Sequence, residues 1–147
     1  MRSLTRATST YYYHGCLGRA VDAQKTAEVA LWTSRRANAM LSRLGQTPSA
    51  MIVHHDEDSA FMSYEWAHQL VQVDDARLSF ARNGAKDNPE MESFFGRLRG
   101  ENRSLLLDAK TVDELEEVVG KRTQYYKRER RRQSLKNEAP MRYAKGC

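Results

Sequence analysis

RNGAKDNPEMESFFGRLR, residues 82–99, reads as a polar turn, a sharp helix start and a carboxylate on that helix's first turns. Asn88 suits the N-cap, and Pro89 suits the first helical position, where a missing N–H costs nothing. Glu90 then lies in the positive end of the helix dipole. Met91, Phe94, Phe95 and Leu98 recur at i, i+3, i+4 and i+7, so they share one apolar stripe. Glu92 lies about 60° round from Phe95, at the edge of that stripe. Gly96, one turn on, leaves open space beside it. A carboxylate at the edge of a core with an empty pocket alongside suits a metal ligand. Taken alone, a solvated glutamate on a surface helix accounts for it as well.

Upstream, residues 50–53 form a short apolar run that ends at His54-His55-Asp56. It reads as a buried strand with an acid at its carboxyl end, the end where sites collect in open α/β sheets. Thirty-five residues separate Asp56 from Glu92. The acid on the strand, the spacing and the acid on the helix together resemble the catalytic domain of retroviral-integrase-like transposases, in particular the orfB-type proteins of bacterial insertion sequences. The family's pattern near the strand end, like H-S-D-x-G, is met by His54-His55-Asp56-Glu57-Asp58. Its helix pattern, D-N-x-x-M-E-S-F-F-G-x-L-K, is met by Asp87-Asn88-Pro89-Glu90-Met91-Glu92-Ser93-Phe94-Phe95-Gly96-Arg97-Leu98-Arg99. Its tail pattern is met by Tyr125-Tyr126 with Arg128, Arg130, Arg131, Arg132, Ser134 and Leu135, then Pro140 and Tyr143. The resemblance is strong over residues 46–143 and weak before them.

The resemblance implies an α/β fold of the ribonuclease-H-like kind: three layers, with a central mixed sheet flanked by helices. It also implies an N-terminal part that is incomplete. Residues 1–120 are expected to hold the integrase-like core, and 121–147 a basic helix end and tail. The implied reaction is strand transfer on DNA phosphodiesters. Two divalent ions about 4 Å apart activate a weak nucleophile and neutralise an alkoxide leaving group. Mg²⁺ and Mn²⁺ take hard oxygen ligands, hence carboxylates. Asp56 and Glu92 are the expected catalytic and metal-ligating acids. The family's first acid belongs to a D-x-T-Y-like stretch, and here Thr8-Ser9-Thr10-Tyr11 puts Thr8 at that position. Asp22 matches a second-strand V-x-D whose Asp ordinarily shapes a turn, and it is the low-ranked substitute for the third ligand. Two acids in place of three imply weak metal binding and impaired strand transfer. A catalytically dead remnant, which binds DNA or an intact transposase without cutting, is therefore the alternative. A nonspecific nuclease on the same fold is a third reading.

The net charge of +5 is unevenly spread. Residues 121–147 carry ten Lys and Arg against two acids, a net +8, which leaves −3 on the rest. Such an end suits a polyanion, most simply nucleic acid, and equally suits a solvated helix face. Arg128, Arg130, Arg131 and Arg132 are the expected DNA-backbone contacts, with Lys86, Arg97 and Arg99 around Glu92. DNA is thus the expected partner, with self-association or association with an intact transposase besides. No apolar run approaches membrane-spanning length and no secretory signal is visible, so a cytoplasmic, nucleoid-associated location is expected. Cys16 and Cys147 form neither a disulfide framework nor a zinc spacing.

The remaining elements follow from pattern. Strands are expected over 10–13, 16–21 and 26–32, and a helix over 34–44 with Ala37, Met40, Leu41 and Leu44 buried. A second helix is expected over 63–73, a strand over 77–80 and a long helix over 89–103. Thr111-Val112-Asp113-Glu114 reads as a capping box that opens a helix to about 131. From 133 a tail is expected to lie on the domain or on DNA. Of the adjacent histidines, one is expected to pack and the other to face the site, because neighbouring strand residues point to opposite faces.

Overall fold

The computed structural model describes residues 5–10, 15–22, 24 and 26–146, with the backbone alone described for 5–10, 84 and 85. The strand expected over 10–13 falls largely outside them. An observed strand β1, Thr5–Thr10, precedes it. β1 pairs antiparallel with β2, Gly15–Val21, and the register slips between Thr8/Gly18 and Ser9/Cys16, so that Leu17 is the extra residue of a β-bulge.

The residues expected to form a third strand are instead the first turns of a helix, α1, Ala27–Arg43. Thr26 caps it, accepting the Val29 N–H at 3.3 Å. Val29, Thr33, Ala37 and Leu41 recur every four residues and are buried. The Thr33 hydroxyl is satisfied within the helix by the Val29 carbonyl, 3.1 Å away, which is what lets a polar residue occupy the stripe. Gly45, at φ +70°, ends the helix as expected.

β3, Ile52–Asp56, and β4, Arg77–Ala81, pair in parallel, with Asp56 opposite Ala81. The crossover contains α2, Tyr64–His68, capped by Ser63, and a π-helical turn, Gln69–Val73. The apolar run before Asp56 was expected to be the buried part of its strand. Ala50 instead lies in a turn at φ +60°, and Ile52 is 68% exposed. The buried position is His55, 4% exposed. A central mixed sheet was expected. Among the described residues there are an antiparallel pair and a parallel pair that no ladder joins, in a small mixed α/β fold.

α3, Pro89–Glu101, corresponds to the expected long helix, and a further short helix, α4, Arg103–Asp108, follows it after Asn102. α5, Val112–Arg128, opens on the predicted capping box, with the Glu114 N–H donating to Thr111 Oγ1 at 3.1 Å. It runs through residue 120, as the expected helix to about 131 does. What was expected as a tail is folded: a 3₁₀ turn, Gln133–Leu135, and α6, Pro140–Gly146, with Leu135 and Pro140 buried.

β2 is buried along nearly its whole length because helices cover both its faces. On one side Leu17 packs with Ala37 and Leu41 of α1. On the other, Cys16 and Val21 pack with Phe94 and Leu98 of α3 and with Leu115, Val119 and Tyr126 of α5. A separate cluster beneath the parallel pair gathers Ala30, Ala60, Trp66, Leu70 and Ala76, with Val53 and Leu78 against it.

Candidate active site

Parallel pairing puts Asp56 and Ala81, the last residues of β3 and β4, at one end of their sheet. Along β3, Val53 and His55 face the Trp66 cluster, so His54 and Asp56 leave from the opposite face. His54 uses both ring nitrogens there. Nε2 lies 3.0 Å from the Asp87 carbonyl oxygen, and Nδ1 lies 2.9 Å from Ser79 Oγ. A carbonyl only accepts, so Nε2 carries the proton and, in the neutral ring, Nδ1 accepts from the Ser79 hydroxyl. One side chain therefore ties β3, β4 and the residue two before Pro89. The N-terminus of α3 is pinned to the face from which Asp56 emerges.

The loop in between is self-closed. The Asp87 carboxylate accepts the Asn83 backbone N–H at 2.9 Å and its side-chain amide at 3.1 Å. These bonds, the backbone one foremost, hold Asp87 below the usual carboxylate range. Pro89 takes the first helical position as expected, but Asn88 at the N-cap makes no side-chain capping bond. The Asn88 carbonyl instead starts the helix, accepting from the Glu92 N–H at 3.2 Å. Glu92 and Gly96 are both exposed, and nothing lies within 4 Å of where a side chain on Gly96 would begin, so the space beside the carboxylate is open solvent and not a pocket.

Asp56 is also exposed. Its Oδ1 accepts the Asp58 N–H at 3.3 Å, and Asp58 Oδ1 accepts the Ala60 N–H at 3.1 Å, in consecutive Asx turns. Among the described residues no group of three His, Cys, Asp or Glu could hold a metal ion. Asp22 receives the Gln24 N–H at 2.9 Å and so shapes the turn after β2. The Thr8 side chain lies outside the described residues.

His55 is the packed member of the histidine pair. It stacks among Phe61, Trp66 and Phe80. Trp66 Nε1–H donates to its Nε2 at 3.3 Å, so the ring proton sits on Nδ1 and is given to the Asp56 carbonyl at 2.7 Å. Burial pushes its pKa below the ordinary 6.5, outweighing that hydrogen bond. A base with a depressed folded pKa contributes stability that is full above pH 6.5 and is lost as pH falls through the folded value. We expect the urea midpoint to drop below pH 6.5, and to drop less in His55→Gln, which keeps an acceptor for Trp66 and has no ring to charge. Superimposable pH profiles would assign the loss to other groups.

The basic residues divide into two groups. Lys86, Arg97, Arg99, Arg128 and Arg131 are exposed. Arg130 is engaged: its Nη1 lies 2.8 Å from Glu101 Oε1, and its Cζ sits 5.0 Å from the centre of the Tyr126 ring. The Tyr126 hydroxyl donates to Glu101 at 2.6 Å, while the Asn102 amide donates to that hydroxyl at 3.2 Å and to the Leu98 carbonyl at 2.9 Å. Arg130 is thus part of a polar lock between α3 and α5. It also holds the Glu101 carboxyl below its usual range. Arg132 is half-buried, and its backbone bridges to Glu138. Sequence reasoning could not show that the Arg130 guanidinium is already partnered by Glu101, while the buried Arg132 Nε has no hydrogen-bond partner among the described residues. It read neither the role of His54 nor that of Asn102, whose contacts cross 33 and 24 residues.

No family model matches the chain, and no curated protein matches it. No helix of the described residues is long and apolar enough to cross a membrane.

Proposed function

We propose that this chain is an integrase-like transposase catalytic domain that acts on DNA phosphodiesters through Asp56 and Glu92. The observation that carries the proposal is the double hydrogen bond of His54, which ties the acid-bearing strand β3 to β4 and to the Asp87 carbonyl, two residues before the acid-bearing helix begins. The sandwiching of β2 between α1 on one face and α3 with α5 on the other, beside a parallel β3–β4 pair, supports a ribonuclease-H-like three-layer fold.

Both acids are exposed hard-oxygen donors, which fits Mg²⁺ or Mn²⁺. One Asp56 oxygen already accepts the Asp58 N–H, so a cation held there would be held weakly. When bound, such a cation supplies charge neutralisation at the oxygens of the scissile phosphate. Lys86, Arg97 and Arg99 lie on the same loop and helix and offer positive charge to a phosphate backbone, and Arg128 and Arg131 are exposed as well. DNA as partner, assembly with a second copy or with an intact transposase, and a nucleoid-associated cytoplasmic location belong to the same proposal.

A second reading, the non-catalytic remnant, rests on one observation: no three-ligand group exists among the described residues. Incubation of labelled end-fragment DNA with Mg²⁺ or Mn²⁺ separates the two. We expect slow metal-dependent cleavage that Glu92→Gln abolishes. Absence of cleavage by the wild type supports the remnant, and cleavage retained in Glu92→Gln removes this site from the reaction.

A further inference from the structure

Beside β2, where α1 and α5 flank it, lies an open cleft of about 230 Å³. Arg19, Arg36, Arg43 and Lys127 line it, with Cys16 and Thr123 beside them, and among the described residues no carboxylate does. Arg36 is already neutralised: its Nη1 lies 3.0 Å from Glu116 Oε1 and 2.7 Å from the Arg19 carbonyl. Arg19, Arg43 and Lys127 pair with no carboxylate among the described residues.

Lys127 is the informative member. Its residue is 5% exposed, and its side chain nonetheless borders the cleft. An ammonium largely withdrawn from water without a counter-charge is unfavourable, and burial pulls its pKa below the usual lysine value, with Cys16 opposing the effect and Arg19 and Arg128 adding to it. The neighbouring Cys16 cannot supply the missing charge. Burial pushes its thiol up to about 11, and its Sγ–H is given to the Gly18 carbonyl at 3.2 Å. Arg19 is held alongside by the absence of a side chain at Gly120. A Cβ there would collide with its Nη2 and lie 3.2 Å from its Cζ. The fold therefore keeps an ammonium, a guanidinium fork and a hydroxyl around one concavity, and leaves the negative partner to come from outside.

We infer that this cleft binds a phosphate group, held by Lys127, Arg19 and the Thr123 hydroxyl, with Arg43 at its mouth. A doubly charged tetrahedral oxyanion accepts from all of these donors at once, which a monovalent halide cannot. Free phosphates and nucleic-acid backbones present the same oxygens. The cleft shares no residue with the Asp56 and Glu92 edge, so the inference stands independently of the DNA-cutting proposal.

Calorimetric titration of the full chain at low salt tests it, with pyrophosphate as one probe and a short duplex of arbitrary sequence as the other. We expect one saturable site that weakens by about tenfold or more in Lys127→Met and in Gly120→Ala. Lys127→Met removes a buried charge, and Gly120→Ala raises helix propensity, so both variants are expected to stay folded. Circular dichroism checks that they do. A variant-sensitive response to pyrophosphate assigns a free phosphate, and one confined to the duplex assigns a backbone phosphate. Saturation by neither probe, or affinities unchanged in both folded variants, overturns the inference.

Discussion

Trp66→Ala is expected to lower the unfolding free energy by about 3–5 kcal/mol, a large part of the roughly 5–15 kcal/mol typical of a domain. Trp66 is 2% exposed and is the largest side chain in the cluster beneath the parallel sheet. Its ring lies 5.0 Å from Phe61 and edge-on to His55 at 5.9 Å. The small residues around it, Ala30, Ala60 and Ala76, cannot grow into the space it would leave. The loss therefore combines transfer free energy with a persistent cavity. The same change strips His55 Nε2 of the N–H donor it has among the described residues, which adds the penalty of an unsatisfied buried acceptor unless water enters. Trp66→Phe separates the two contributions: it keeps most of the packing and removes the donor. Urea unfolding should show a graded order, wild type above Phe above Ala, with the slope of free energy against denaturant unchanged. Equal stability for wild type and Ala would mean that this cluster is not a core.

Some of these relations were legible in the sequence because they are local. Thr111 and Glu114 are three residues apart, and their reciprocal capping was read directly. Ser63 and Pro89 marked helix starts in the same way, and the spacing of Phe94 and Leu98 gave the buried face of α3. The misreadings have one physical origin. Residues 26–32 were taken for a strand because the α1 stripe passes through Thr33, a polar residue whose hydroxyl is satisfied by the Val29 carbonyl, and through the buried Ser34. Ile52 was taken for core because hydrophobicity says nothing of which strand face the rest of the chain will cover. Lys127 carried a signal that was passed over: it lies four residues after Thr123 and eight after Val119, on the buried stripe of α5 and not on its solvent face. The site divided likewise. Asp56 and Glu92 were named from motif and spacing. His54, which joins their elements, and Arg130, which α3 claims for its own lock with α5, depend on tertiary contacts that the sequence pattern does not show.

Alanine at Gly18 and alanine at Gly120 are expected to act in opposite directions on stability. At Gly18 the neighbours are backbone. A Cβ there would collide with the Thr33 carbonyl oxygen and lie 2.7 Å from the Ala37 nitrogen and 3.1 Å from the Ala37 Cβ. No rotamer change relieves such contacts, so α1 has to move off β2 as a unit. That movement opens the Leu17, Ala37 and Leu41 cluster, which the bulge at Leu17 had brought against the helix. Overpacking of this kind costs about 1–3 kcal/mol, and a backbone collision belongs at the upper end or beyond it. At Gly120 the obstructing atoms are the far end of Arg19, a flexible side chain that can swing away from its place beside the cleft. There the intrinsic gain of Ala over Gly inside a helix, about 1 kcal/mol, is offset only by the displaced guanidinium. Urea midpoints of the two variants should therefore fall on opposite sides of the wild type, or with Gly120→Ala at its level and Gly18→Ala far below. A Gly18→Ala protein as stable as the wild type would require β2 and α1 to stand further apart than described. The cover on one face of β2 would then be looser than its burial indicates.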